Sequence, residues 1–272
     1  MWFDGPMDLQ LAGKRALVTG GSRGIGLAIG RALAREGATV ALLARDEAAV
    51  ALAAEELGAE TGARTLGVSA DTGGDADVRR AVDEVTAAFG GIDIAINAAA
   101  RPASSGPAMS AIGTTDDRVR EELEVKLLGY LRVARAVAPQ MVDRGWGRIV
   151  NVSGLNARRS GSVAGSVRNV AVAALTKNLA DELGPLGVNV TVVHPGLTRT
   201  ERTPAMVAAR AEQDGSTEEE AEAALAADVS IGRIVDAAEV ADVVAFLASP
   251  RSVAINGDAI AAGGGQTGPI FY

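Results

Sequence analysis

Short apolar runs alternate with longer amphipathic stretches along most of the chain. KRALVTG (Lys14–Gly20), TVALLA (Thr39–Ala44), RTLGVSAD (Arg64–Asp71), IDIAIN (Ile92–Asn97), RIVNVS (Arg148–Ser153) and VNVTVVH (Val188–His194) have strand length and few polar positions. Helical patterns lie between them: Ile25 to Arg35, DEAAVALAAEEL with Asp46 placed to cap it, VRRAVDEVTAAF, roughly Thr115 to Val142, and a helix containing Val170–Leu183. Apolar strands with so little alternation are buried on both faces, which is the signature of parallel pairing. Repeated strand–helix units with right-handed crossovers then predict an α/β doubly wound parallel sheet of about seven strands, with helices on both faces.

One segment breaks the rhythm. Thr198 to Ile231 inserts helical sequence after a strand, and Thr217–Glu220 reads as a capping box opening a short acidic helix. An excursion beyond a strand end is where such folds carry a lid over a ligand, although a solvated surface insertion has the same pattern. No linker or composition break divides the 272 residues, so a single domain spanning 1–272 is expected, with the lid-like insertion at about 198–231.

Composition narrows the field. Hydrophobic residues at 48% against 22% charged describe a globular chain. A net charge of −8 argues against a nucleic-acid partner. No cysteine and a single histidine argue against a thiolate or histidine-rich metal site, so no metal is expected. MWFDGPMD is a poor signal sequence and no run has the length of a membrane span, so a cytoplasmic protein without a membrane partner is expected.

The first chemical signal is TGGSRGIG (Thr19–Gly26), between the first strand and the first helix. Glycines there let backbone approach a diphosphate, and the helix N-terminus presents free N–H groups and a positive dipole end. This context predicts a Rossmann-like dinucleotide site. The second strand ends Ala44–Arg45 with no acid for the adenosine ribose, and Asp46 is better explained as a helix cap. Arg23 adds a second guanidinium nearby, and two arginines without an acid suit a 2′-phosphate, hence NADP(H) over NAD(H).

These motifs, in this order, resemble the short-chain dehydrogenase/reductase family over nearly the whole chain. TGGSRGIG fits the family's TGxxxGIG, and Asp71 matches the acid near the adenine ring. IDIAINAAA resembles the segment ending NNAG, GRIVNVS the strand before the catalytic serine, and HPGLTRT the PG-x-x-x-T stretch beside the nicotinamide. IGRIVDAAEVADVVAFLAS and INGDAIAAGGG resemble the closing helix and strand, with Gly263 where an acid is usual. The resemblance implies a dinucleotide held by Gly20, Ser22, Arg23, Gly24, Ile25, Gly26, Arg45, Asp71, Thr72, Asn97, Ala98, Ala99, Asn169, Pro195, Gly196, Thr198 and Thr200. It also implies hydride transfer to or from a small-molecule carbonyl, and a homo-oligomer, tetramer or dimer, joined through two long helices.

The family's catalytic residues are absent from their positions. The tyrosine position falls on Gly165, the lysine on Asn169, the serine on Gly154 and the helix asparagine on Lys126. Lys126 and Asn169 thus hold an ammonium and an amide in exchanged places, and a buried lysine could exchange protons near neutrality. Lys126, Ser153 and Asn169 are the positional candidates for catalysis, although strand alternation expects Ser153 on the opposite face. Without the tyrosine, either the pocket admits a bulkier ligand or the backbone has closed into it. Arg158, Arg159 and Arg168 could grip an anionic substrate, or be solvated. His194 and Tyr130 read as packing residues, and Tyr272 as a weak candidate to close over a neighbouring subunit. Three functions remain open: an NADP(H)-dependent oxidoreductase with an altered proton donor, acting on a carbonyl, enone or imine; a non-catalytic dinucleotide-binding protein; and a non-redox cyclase or lyase.

Overall fold

The glycine-rich turn and the strands around it fix where a ligand can sit. The structure is a computed structural model and describes residues 7–100 and 110–267. Its seven-stranded sheet contains β1 (Arg15–Thr19), β2 (Thr39–Ala44), β3 (Thr65–Ser69), β4 (Ile94–Asn97), β5 (Gly147–Val152), β6 (Val188–Pro195) and, last in chain order, β9 (Ala259–Ala262). The spatial order is β3-β2-β1-β4-β5-β6-β9, with every pairing parallel. β1 pairs β2 on one side and β4 on the other, so the winding reverses there and a crevice opens at the strands' C-terminal ends.

Helices cover both faces. On one side α1 (Gly24–Arg35), α2 (Glu47–Thr61) and α9 (Ala237–Ala248) pack Ile29, Leu33, Leu57 and Val244 against Val18, Val40 and Ile96. On the other, α3 (Asp75–Phe89), α5 (Gly129–Asp143) and α6 (Val163–Leu183) pack Val82, Val85, Val137 and Met141 against Leu17, Leu43 and Ile149. Local chemistry sets the boundaries. Asp46 accepts the Ala49 amide at 3.0 Å to start α2, and Gly62 at φ +70° ends it. Ser162 caps α6 through the Gly165 amide at 3.1 Å.

The long helix expected from Thr115 to Val142 is continuous but not uniform. It runs as α4 (Asp116–Leu123), a π-helical segment (Glu124–Leu128) and α5. The wider π turn changes the facing of the residues within it, and Lys126 is the buried one.

The interruption after β6 forms its own small layer. β7 (Thr198–Arg199) pairs with β8 (Val235–Asp236), and between them stand α7 (Thr203–Asp214) and α8 (Glu218–Ala226). Val207, Ala211 and Ala221 make a separate apolar cluster there, and Thr217 and Glu220 form the expected capping box. No helix among the described residues is long and apolar enough to cross a membrane.

Candidate active site

The β1–α1 turn brings backbone within contact of β4's exit. A Cβ on Gly20, which sits at φ +67°, would lie 2.8 Å from the Ala98 carbonyl oxygen. A Cβ on Gly26 would lie 2.2 Å from the Gly20 oxygen. Thr19 Oγ1 accepts the amides of Ala98 and Ala99 at 3.1 and 3.2 Å, holding the two exits together. Above this floor lies a cavity of about 630 Å³.

Most of the residues named from sequence meet in that cavity. Gly20, Ser22, Arg23, Gly24, Ile25, Gly26, Arg45, Asp71, Thr72, Ala98, Ala99, Gly196, Thr198 and Thr200 all line it. So does Ser153. Asn97, Asn169 and Pro195 lie behind the lining. Asn97 is fully buried and donates to Asn151 Oδ1 at 2.9 Å, and Asn151 donates to Thr176 Oγ1 at 2.9 Å, tying β4, β5 and α6 together. The cavity also takes in Leu43, Ala70, Val125, Glu201 and Arg202, which sequence motifs did not single out. Glu201 and Arg202 follow directly on the Thr198–Thr200 stretch, and the charged pair was the available signal. The Gly24 amide at the head of α1 donates to Glu201 Oε2 at 3.2 Å.

Arg23 in the β1–α1 turn and Arg45 just after β2 line the cavity with no ion pair or side-chain hydrogen bond among the described residues. Asp46 spends its carboxylate on the α2 cap.

The other end holds the substituted positions. Lys126 is 5% exposed, and its Nζ donates to the Ser153 carbonyl at 2.7 Å. Ser153 Oγ stands 3.2 Å from both the carbonyl oxygen and Oδ1 of Asn169. Lys126 and Asn169 therefore meet through Ser153, not through each other. The expectation that Ser153 faces away is corrected here: Ser153 points to α6 on the same side as Asn151 two residues earlier, so alternation holds and the α6 side is the one that carries Ser153.

Burial pushes the Lys126 ammonium down to about 7; the nearby Arg168 guanidinium lowers it further and Glu122 opposes both. Glu122 is itself engaged, its Oε2 by Arg168 and its Oε1 by Arg118 at 3.0 Å. His194 is buried, accepts the Gly154 amide on Nδ1 at 3.4 Å, and is lowered to about 4 by burial, then by Arg158 and Lys126. Tyr130 donates to the Val152 carbonyl at 2.8 Å from within the core, and burial raises its phenol well above the usual range.

The space of the missing side chains is occupied. A Cβ on Gly165 would stand 2.9 Å from Ser162 Oγ and 3.3 Å from Asn156 Nδ2, and one on Gly154 3.1 Å from Asn169 Nδ2. At Gly263 the Leu155 side chain would lie 2.5 Å away. The atoms nearest Gly165 and Gly154 are side chains of Ser162, Asn156 and Asn169, not backbone. The three arginines also do not converge on an anion site. Arg168 pairs with Glu122, Arg159 lies 3.8 Å from Asp228, and Arg158 donates to the Ala259 carbonyl at 3.2 Å. Tyr272 lies outside the described residues.

A glycine turn leading from the first strand to a helix, at the reversal point of a doubly wound sheet, defines a dinucleotide-fold protein. Residues 20–267 match the family described as enoyl-(acyl carrier protein) reductase. The 3-oxoacyl-(acyl-carrier-protein) reductase FabG of Vibrio cholerae is 33% identical, over 95% of this chain and 99% of its own. Among solved structures, L-sorbose reductase from Gluconobacter frateurii, complexed with NADPH and L-sorbose, superposes with a TM-score of 0.89. It is 29% identical, covering 97% of this chain and 100% of that one. Actinorhodin polyketide ketoreductase with NADPH gives 0.84 at 31% identity, covering 92% and 96%. The chain belongs to the short-chain dehydrogenase/reductase family, a family of oxidoreductases.

Proposed function

We propose that this chain is an NADP(H)-dependent oxidoreductase that acts on a small carbonyl, enone or imine, with Lys126 in place of the family's tyrosine as proton donor. The observation that carries the reading is the shared cavity. One end is the glycine floor with two arginines that have no side-chain partner among the described residues; the other is Ser153, bonded to a buried lysine.

The residues fit a dinucleotide. Gly20 and Gly26 leave backbone open where any side chain would collide, the α1 N-terminus offers amides to a diphosphate, and Arg23 and Arg45 suit a 2′-phosphate. When bound, that group supplies or accepts the hydride. The chain's own part is to hold the reacting oxygen and manage its proton. Lys126 Nζ spends one donor on the Ser153 carbonyl, and as an ammonium it has two more. With its proton affinity brought to about 7, it can give a proton to a developing alkoxide and regain it from water near neutral pH. The Ser153 carbonyl holds the amine and Asn169 holds the Ser153 hydroxyl, and the segment from Thr198 to Ile231, whose first residues line the cavity, serves as the lid.

The test is fluorescence titration with NADPH and NADH, followed by NADPH oxidation over a panel of ketones, enones and imines. Tighter NADPH binding with consumption on at least one compound is expected. Binding with no consumption on any would leave the non-catalytic reading, which the lack of a side chain at Gly165 favours. No dinucleotide binding would overturn both.

Glu201 bears on the same titration. Its carboxylate sits on an amide at the α1 N-terminus, where a diphosphate would bring like charge. The E201Q variant should bind NADPH about 2–10-fold more tightly, on the order of 0.5–1.4 kcal/mol for a charge at a helix end. Unchanged or weaker binding would make Glu201 a bystander. A homo-oligomer joined along α6, where Val163, Val167 and Val170 are exposed at helical spacing, belongs to the same reading. Light scattering should then give a mass above that of one chain.

A further inference from the structure

The chain has three lysines, and they stand in unlike surroundings. Lys14 Nζ lies 4.0 Å above the Trp146 ring, and Lys177 Nζ pairs with Asp181 at 2.5 Å. Both settings favour the ammonium. Lys126 has neither. Its hydrogen-bond partner is a neutral carbonyl, Ser153 O. Both oxygens of Glu122, the acid packed nearest it, are held by Arg168 and Arg118. The other groups facing it are Arg168 on α6, His194 on β6 and the Tyr130 hydroxyl on α5, which is turned to Val152 O. Among the described residues one acid thus faces several cationic or basic groups, and the amine has no ion-pair partner. Lys126 does not itself line the cavity, but Ser153 does, and the amine stands one 2.7 Å hydrogen bond behind that part of the wall.

We propose that Lys126 is a nucleophilic amine that condenses reversibly with a small aldehyde or ketone in the cavity beside Ser153. The Nζ lone pair forms a bond to the carbonyl carbon, and the carbonyl π bond opens to give a carbinolamine. The former carbonyl oxygen then leaves as water, taking both amine protons in net terms, and a carbon–nitrogen double bond to Nζ remains. No oxidant or reductant enters the step. The proposal rests on the reading of Lys126 as the group that faces the carbonyl ligand, but it needs no dinucleotide.

The test treats the full chain with propanal and sodium cyanoborohydride, without dinucleotide, from pH 6 to 9, and maps alkylated peptides by mass. At pH 7 Lys126 should be modified at least about tenfold faster than Lys14 or Lys177, because an ordinary lysine is almost wholly protonated there. Its rate should level off just above pH 7, where burial leaves the amine mostly neutral, while the other two continue to climb. The K126M variant should lose the fast modification and keep the slow ones; the site-resolved rates of the unaltered chain stand even if that variant folds poorly. Lys126 modified no faster than the other two, or only after denaturation, would overturn the proposal. Rapid modification in a chain that binds no NADPH would uphold it while removing the proposed oxidoreductase function. NADPH turnover with an inert Lys126 would do the reverse.

Discussion

Replacing Lys126 with methionine is expected to lower turnover by roughly 10²–10⁴-fold, the usual range for loss of a positioned proton donor, and at the same time to stabilise the fold at neutral pH. The two effects come from one cause. Burial, with no ion-pair partner for Lys126 among the described residues, lowers its proton affinity from 10.5 in the unfolded chain to about 7 in the native one. Between those values the unfolded state binds the extra proton, so stability rises with pH across that window and the burial penalty is fully present below it. Methionine fills similar volume and carries no charge, leaving Ser153 O without its donor. Against a burial cost of several kcal/mol, loss of that bond leaves a net gain of about 1–3 kcal/mol at pH 7. Thermal unfolding of both proteins from pH 6 to 10 checks this. The native chain should gain stability toward alkaline pH, and K126M should show a flatter profile. Equal turnover with parallel profiles would mean that Lys126 neither handles a proton nor titrates in the native state.

How much of this was legible in the sequence depends on how local each cause is. The strands could be read because burial on both faces is written into contiguous runs such as TVALLA and IDIAIN. The glycine turn could be read because part of its steric reason, Gly26 against the Gly20 carbonyl, lies within the motif itself. Four features of the site have no such local origin. Lys126 turns inward through a π segment, and Val125 and Lys126 carry no sequence mark of a widened turn. Arg168 looked like one member of an anion-binding trio until Glu122, 46 positions away, claimed it. Ser153 seemed to face the wrong side because alternation fixes only relative sides, and packing decides that Asn151 and Ser153 are the pair that meets α6. The contact between Glu201 and Gly24 spans 177 positions and exists only once the segment after β6 folds back over the first turn. Sequence therefore located the cavity and its glycine floor, while the partners that set charge in it came from the packing.

Gly26 is where that floor is least tolerant. A Cβ there would stand 2.2 Å from the Gly20 carbonyl oxygen and 2.8 Å from its carbon. These are backbone atoms at the exit of β1, so no rotamer change relieves the overlap. Gly20 cannot retreat, because its own Cα faces the Ala98 and Ala99 backbone, which Thr19 Oγ1 ties to β1. The G26A substitution must then lift the first turn of α1 away from the strand, opening the packing of Ile29 and Leu33 beneath it. Overpacking of this kind costs about 1–3 kcal/mol, and the displaced amides at the α1 N-terminus are the ones offered to the diphosphate. Loss of NADPH affinity by about 100-fold is expected, the equivalent of roughly 2.7 kcal/mol, together with a lowered unfolding midpoint. Gly62, which ends α2 with nothing within 4 Å of its Cβ position, provides the contrast. The G62A variant carries only the strain of φ +70° far from the cavity, and should lose some stability while binding NADPH as before. If G26A bound NADPH as tightly as G62A, the close approach of α1 to Gly20 would have no part in holding the dinucleotide.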